Sequence, residues 1–247
     1  MQQVVLIRVG VDTGAGGIHG PLFADGSFEY IPIPDRFGST NGVDARTYGT
    51  VLGGKHEPLI NYFPTRRRSK YKDQPIHFDP EFESFTYGDP STLKSRLKTL
   101  QENDLLVFYA GLQGWDFHRD PALYIIGFFS VSCAGLPKQL TERFGSTKWR
   151  EYFAKNFHVR HSVVFKDQKD RLVLVKGDQA KSRLLTRAVQ ISAVGKDRTG
   201  RDIHVLSPDM QKIFGHFDGH TSIHRSPPRW VLPTFTDKAA EFVSALR

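Results

Sequence analysis

The sequence predicts an α+β fold of α/β-like character, a single domain in which helices flank a central mixed β-sheet. Three observations carry this. Runs at 4–11, 104–112 and 123–133 are apolar and rich in β-branched and aromatic residues, which reads as buried strand. Helical stretches at 91–102, 137–158 and 237–246 alternate with or follow them. No repeat, low-complexity tract or clear linker divides the 247 residues, a length that suits one large domain.

Taken in order, the first strand (4–11) runs into Asp12, Thr13 and a turn with four glycines at 14, 16, 17 and 20. Glycine admits positive φ and close approach of backbone to a ligand. A carboxylate, a hydroxyl and the His19 imidazole share that turn, and loops at strand ends are frequent places for chemistry. The plain alternative is a tight structural turn in which Asp12 caps backbone N–H groups. Residues 27–34 alternate and then break on prolines, as a short edge strand does. Residues 34–54 read as a long irregular loop carrying Asp35, Asn41, Asp44, Arg46 and Tyr48.

The stretch 64–72 holds five cations in nine residues: Arg66, Arg67, Arg68, Lys70 and Lys72. It is either a solvated basic loop or an edge that grips phosphates. Residues 77–90 follow with four acids, one histidine and four aromatics. Stacking aromatics beside carboxylates suit a base pocket with a catalytic acid. The plain reading is that Asp79 and Asp89 precede prolines in turns, and Asp89 does look like a helix start. Asp79, Glu81 and Glu83 are therefore the better candidates.

In 91–102, Leu93, Leu97 and Leu100 mark a short amphipathic helix. Strands at 104–112 and 123–133 pair antiparallel around a loop carrying Trp115 and Asp116. Tyr109 is either core or a stacking residue. Residues 137–158 form two helical pieces broken at Gly145. Segments 161–165 and 171–176 read as a hairpin, and 179–192 as a helix with Lys181, Arg183 and Arg187 on one side. Residues 206–214 and 237–246 read as helices, and 222–231 as an irregular basic segment.

The bulk numbers narrow the class. Hydrophobic content of 39% and charged content of 24% are ordinary for a globular chain. No apolar run nears the ~20 residues a membrane helix needs, and no signal peptide is recognisable. The single cysteine, Cys133, excludes an internal disulfide and points to a reducing cytoplasm. The net charge of +8 favours an anionic partner, nucleic acid first. His216, His220 and His224 are spaced like ligands on a helix, but Gly215, Gly219 and the prolines that follow argue against a helix there, so no metal and no other cofactor is expected.

The stretches GVDTGAGGIHGPLF, EYIPIPD, DPEFESFTYGDP, DLLVFYAGL and LYIIGFFSV resemble the nucleotide-modification-associated domain family, third type. The match covers most of residues 4–133, and SRLLTRAVQIS and PPRWV continue it less sharply. The resemblance implies work on modified bases in phage and bacterial DNA. Its narrowest implication is an anti-phage DNA glycosylase that excises glucosylated hydroxymethylcytosine from double-stranded DNA; the chain is separately expected to be a cytoplasmic monomer. A non-catalytic reader of modified bases and an enzyme that installs the modification remain alternatives.

For a glycosylase, a carboxylate stabilises the developing oxocarbenium ion or activates water, while a donor assists the leaving base. Asp12 takes the carboxylate role, with Asp79 as second candidate, and His19 donates or orients. Phe85, Tyr87, Tyr109 and Trp115 are the stacking candidates. Asp35, Asn41 and Asp116 are placed to bond sugar hydroxyls, and the 66–72 cations to hold phosphates. No lysine lies in an apolar, site-like segment, so a monofunctional hydrolase is expected.

Overall fold

The computed structural model describes residues 2–13, 17–35, 46–224 and 227–247. In chain order its strands and helices are β1 (Val4–Arg8), β2 (Gly20–Leu22), β3 (Ile33–Pro34), α1 (Thr65–Tyr71), β4 (Ile76–His77), β5 (Thr86–Asp89), β6 (Leu105–Gly114) and β7 (Ala122–Gly135). There follow α2 (Pro137–Phe144), α3 (Ser146–Tyr152), α4 (Phe157–Arg160), α5 (Ser162–Gln168), β8 (Val173–Gly177), β9 (Arg183–Gln190), β10 (Ser192–Lys196), β11 (Asp202–Leu206), α6 (Pro208–Phe214), β12 (Arg229–Trp230) and α7 (Pro233–Ala245). Short 3-10 turns occupy Val11–Thr13, Leu59–Tyr62 and Thr92–Thr99.

The main sheet has eight strands in the order β12-β1-β6-β7-β8-β5, with β2 extending β6 beyond the end of β1 and β9 pairing with β7. β1 and β2 both run parallel to β6, and the other pairs are antiparallel. The sheet is therefore mixed and the fold α+β.

Both faces of the central strands are covered, which is why β1 and β6 read as unbroken apolar runs rather than as an alternation. Val4, Leu6, Leu105, Val107 and Tyr109 pack on one side with Phe214 of α6 and Ala239 and Val243 of α7. Val5, Ile7, Leu106 and Phe108 pack on the other with Tyr87, Leu97 and Leu100. A third cluster of Tyr48, Phe63, Tyr71 and Ile76 fixes the region after β3.

Several expectations need correction. The basic stretch is helix α1, not a loop. Segment 162–168 is helix α5, so no hairpin forms there, and 183–190 is strand β9 rather than a helix. In the 3-10 turn after β5, Leu97 is buried as its spacing demands, but Leu93 is 65% exposed. No described helix is long and apolar enough to cross a membrane.

Candidate active site

Beside β6, the carboxyl end of the parallel strand β1 meets the start of β2. Open sheets carry their ligands at such ends. After β1 the chain turns at Gly10, whose φ is +90°, and the N–H of Val11 donates to the carbonyl of Ile31 at 2.9 Å. That turn swings Asp12 back over Arg8. Arg8 donates to Asp12 Oδ2 from Nε at 2.9 Å and from Nη2 at 2.6 Å. The other oxygen, Oδ1, is buried without a hydrogen-bond partner among the described residues. With its side chain only 2% exposed, Asp12 has its pKa raised by burial, which outweighs the pull of Arg8.

His19 reaches the same point from β2. Pairing of Gly20 with Leu112 sets His19 against Gly111 of β6. A Cβ on Gly111 would meet Asp12 Oδ2 at 2.6 Å and His19 Cδ2 at 2.9 Å. The missing side chain is thus what admits both groups. Burial lowers the pKa of His19, against the pull of Asp12, so its imidazole is neutral near pH 7. On the far side of Arg8, Nη1 donates to the carbonyl of His224. His204 lies close, its pKa pushed down to about 4 by burial and by the neighbouring Arg8, His224 and His19.

His19 opens onto a groove of about 340 Å³ lined also by Gly17, Tyr62, Arg68, Gln113 and Trp115. Trp115 is 47% exposed and meets Tyr62 edge to face at 5.3 Å. A half-exposed indole anchored by a buried tyrosine is a platform on which a flat ring can stack. Helix α1 borders this groove. Arg66 and Lys70 are exposed on it, Lys72 is exposed just past its end and Arg67 is half-buried, whereas Arg68 turns inward and donates to the carbonyls of Phe63 at 3.0 Å and Asn61 at 2.7 Å.

A second cleft, of about 230 Å³, is lined by Tyr30, Arg46, Phe78, Glu81, Phe82 and Leu184, among others. Arg46 lies over the Phe78 ring at 5.2 Å. Burial pushes Glu81 up to about 7, despite Arg160 and Arg46. Glu83 is exposed at its rim. Asp79, between Phe78 and Pro80, turns away from Asp12 into a cluster with His77 and His158. The two candidate carboxylates therefore belong to separate sets of side chains.

The remaining candidates fall elsewhere. Tyr87 and Tyr109 are fully buried, their hydroxyls donating to Asp89 Oδ2 at 3.1 Å and to the carbonyl of Ile223 at 3.2 Å. Neither offers a face for stacking. Phe85 packs into the same core against Phe129, with ring centroids 5.9 Å apart. Asp35 is buried at the end of β3. Asp116 is exposed and caps a turn by accepting from the N–H of Ala24 at 2.9 Å. Asn41 lies outside the described residues. Sequence reasoning passed over Tyr62, Gly111 and His204. Gly111 sits inside an apolar strand, where a glycine signals a bulge or a close approach; that signal was present but ambiguous.

A family model described as nucleotide modification associated domain 3 matches residues 3–245. No curated protein and no solved structure matches the chain. From β1 to the last turn of α7, the chain belongs to the nucleotide modification associated domain 3 family.

Proposed function

We propose that the chain is a DNA glycosylase that takes a hypermodified base, of the glucosylated hydroxymethylcytosine type, out of the duplex and hydrolyses its N-glycosidic bond, as an anti-phage activity. One observation carries the reading. Asp12 is held by Arg8 through one oxygen while its other oxygen stays unpartnered among the described residues, at the carboxyl end of β1 beside His19. A carboxylate oriented in this way stabilises the cation that develops at C1′ as the bond to the base breaks. Water adds its oxygen to C1′, and the base departs with the electron pair and takes up a proton. Neutral His19 donates a hydrogen bond to the base or its sugar. Trp115 stacks the extruded ring, and α1 holds flanking phosphates.

The test is incubation of the purified chain with modified and plain duplexes, followed by an assay for abasic sites. Abasic sites are expected in modified DNA alone, with Asp12→Asn lowering the rate at least about 100-fold. Because the ionised carboxylate does the work and its pKa is raised, activity should be lost as pH falls through a range above the usual carboxylate values. Tight binding of modified DNA without abasic sites at any pH would mark the chain as a reader instead.

A further inference from the structure

The second cleft has behind it a cluster that the glycosylase reading leaves unused. His77 is 4% exposed, Asp79 9% and His158 2%. One ligand-type atom from each lies within 4.8 Å of the other two. Both Nε2 atoms are buried without a hydrogen-bond partner among the described residues. Asp79 Oδ2 is 3.9 Å from His158 Nε2, too far for a hydrogen bond. Two orphaned imidazole nitrogens in one buried cluster with a carboxylate call for an explanation.

The surroundings orient all three. Asp79 Oδ1 accepts from the N–H of Gly88 at 2.9 Å, which leaves Oδ2 on the side of the His158 imidazole. His158 Nδ1 lies 2.6 Å from Gln168 Oε1, and as donor to that oxygen the neutral ring presents a lone pair on Nε2. His158 sits in the first turn of α4, its N–H donating to Oδ1 of the capping Asn156 at 3.1 Å. His77 is held flat on Phe157, with ring centroids 3.8 Å apart. Gly88 again makes room, since a Cβ there would meet His158 Cδ2 at 2.7 Å.

We propose that His77 Nε2, Asp79 Oδ2 and His158 Nε2 bind one divalent transition-metal ion of the zinc type. Two imidazoles and a carboxylate suit zinc or a neighbouring first-row metal rather than magnesium or calcium, which prefer all-oxygen shells. Donors at zinc distances of about 2.0–2.2 Å stand roughly 3.4 Å apart. The cluster therefore contracts by at most about 1.4 Å between any two donors. Gln168 is the outer partner that holds a metal-ligating histidine in register. The ion ties β4, the Asp79 turn and α4 together behind the cleft that Phe78 and Glu81 line. This site is independent of Asp12 and does not rest on the glycosylase reading.

The test is zinc titration by calorimetry of the full chain stripped with chelator, with elemental analysis of the loaded protein. One zinc per chain is expected, no binding of magnesium, and a higher melting temperature with zinc. His77→Gln and His158→Gln should each lose the site, Gln168→Ala should weaken it about 10- to 100-fold, and a His216→Gln/His220→Gln control should keep it. Failure of the wild type to bind stoichiometric zinc overturns the proposal, as does full binding by either single histidine variant. If those variants do not fold, side-chain NMR of wild-type histidines decides. Zinc must move two buried imidazoles, and movement of exposed histidines alone overturns the site.

Discussion

Gly111 matters for what it lacks. Asp12 Oδ2 and His19 Cδ2 occupy the space a methyl group would fill. Gly111→Ala keeps an allowed strand backbone yet pushes the carboxylate and imidazole apart, so activity should fall at least as far as for Asp12→Asn while the melting temperature changes by only a few degrees. Excision kinetics and a melt on the same sample check this, and a fully active Gly111→Ala chain would move the reacting centre elsewhere. At this scale the sequence was informative where residue types cluster locally. Asp12 and His19 share one turn, and the structure brings them to one strand end with Arg8, which the sequence marked only as a charge in an apolar strand. His77 and His158 were not legible as a pair, because nothing in spacing relates a two-residue strand to a one-turn helix far along the chain. Tyr87 and Tyr109 show the converse: an aromatic in an apolar strand reads the same whether it stacks a ligand or fills the core.

Among elements, α1 was legible in its charge but not in its shape. Pro64 precedes Thr65 as the N-cap, and arginine and lysine favour helix, so the run of cations folds instead of trailing as a loop. The helix divides their roles. Replacing Arg66, Arg67 and Lys70 by Ala should weaken binding to modified and plain duplexes alike. The log–log salt slope should fall by roughly 0.9 for each phosphate left without its cation, while preference for the modified base survives. Arg68→Ala should instead destabilise the fold, by about 1–3 kcal/mol, because two carbonyls lose a charged donor. Salt-dependent binding and urea unfolding separate the two outcomes. An unchanged slope in the triple variant would shift the DNA path to the exposed Lys181 and Arg187 on and beside β9. Strand β9 itself was misread because Leu184, Leu185 and Val189 fit a helical stripe, whereas Leu185 is buried at 4% and Leu184 exposed at 42%, as adjacent strand residues are. Segment 162–168 erred the other way: Val163 and Val164 suggested strand, but Val163 is 78% exposed on a helix. In both, packing against the rest of the sheet decided what local propensity left ambiguous.

Across the whole molecule, the two ends of the chain meet in the sheet. β1 lies between β6 and β12, with Val5 opposite Trp230 and Leu6 opposite Arg229. Arg96 covers the Trp230 ring at 4.0 Å. Helix α7 places Ala239 and Val243 in the same core as Val4 and Leu6, and Tyr109 bonds the carbonyl of Ile223. The strand that positions Arg8 and Asp12 is therefore supported by β12 and α7 as much as by its sequence neighbours. Because removing α7 uncovers one face of the central strands, the expected outcome is that the chain unfolds as one unit. In urea, the intact chain should show coincident transitions by far- and near-ultraviolet circular dichroism. A chain ending at Leu232 should keep part of its far-ultraviolet signal but lose the near-ultraviolet signal and the cooperative transition, and with them any excision activity. Two separated transitions in the intact chain, or a sharp native-like transition in the shortened one, would mean that residues 4–135 fold without the C-terminal half, and that the site at the end of β1 is built by the N-terminal half alone.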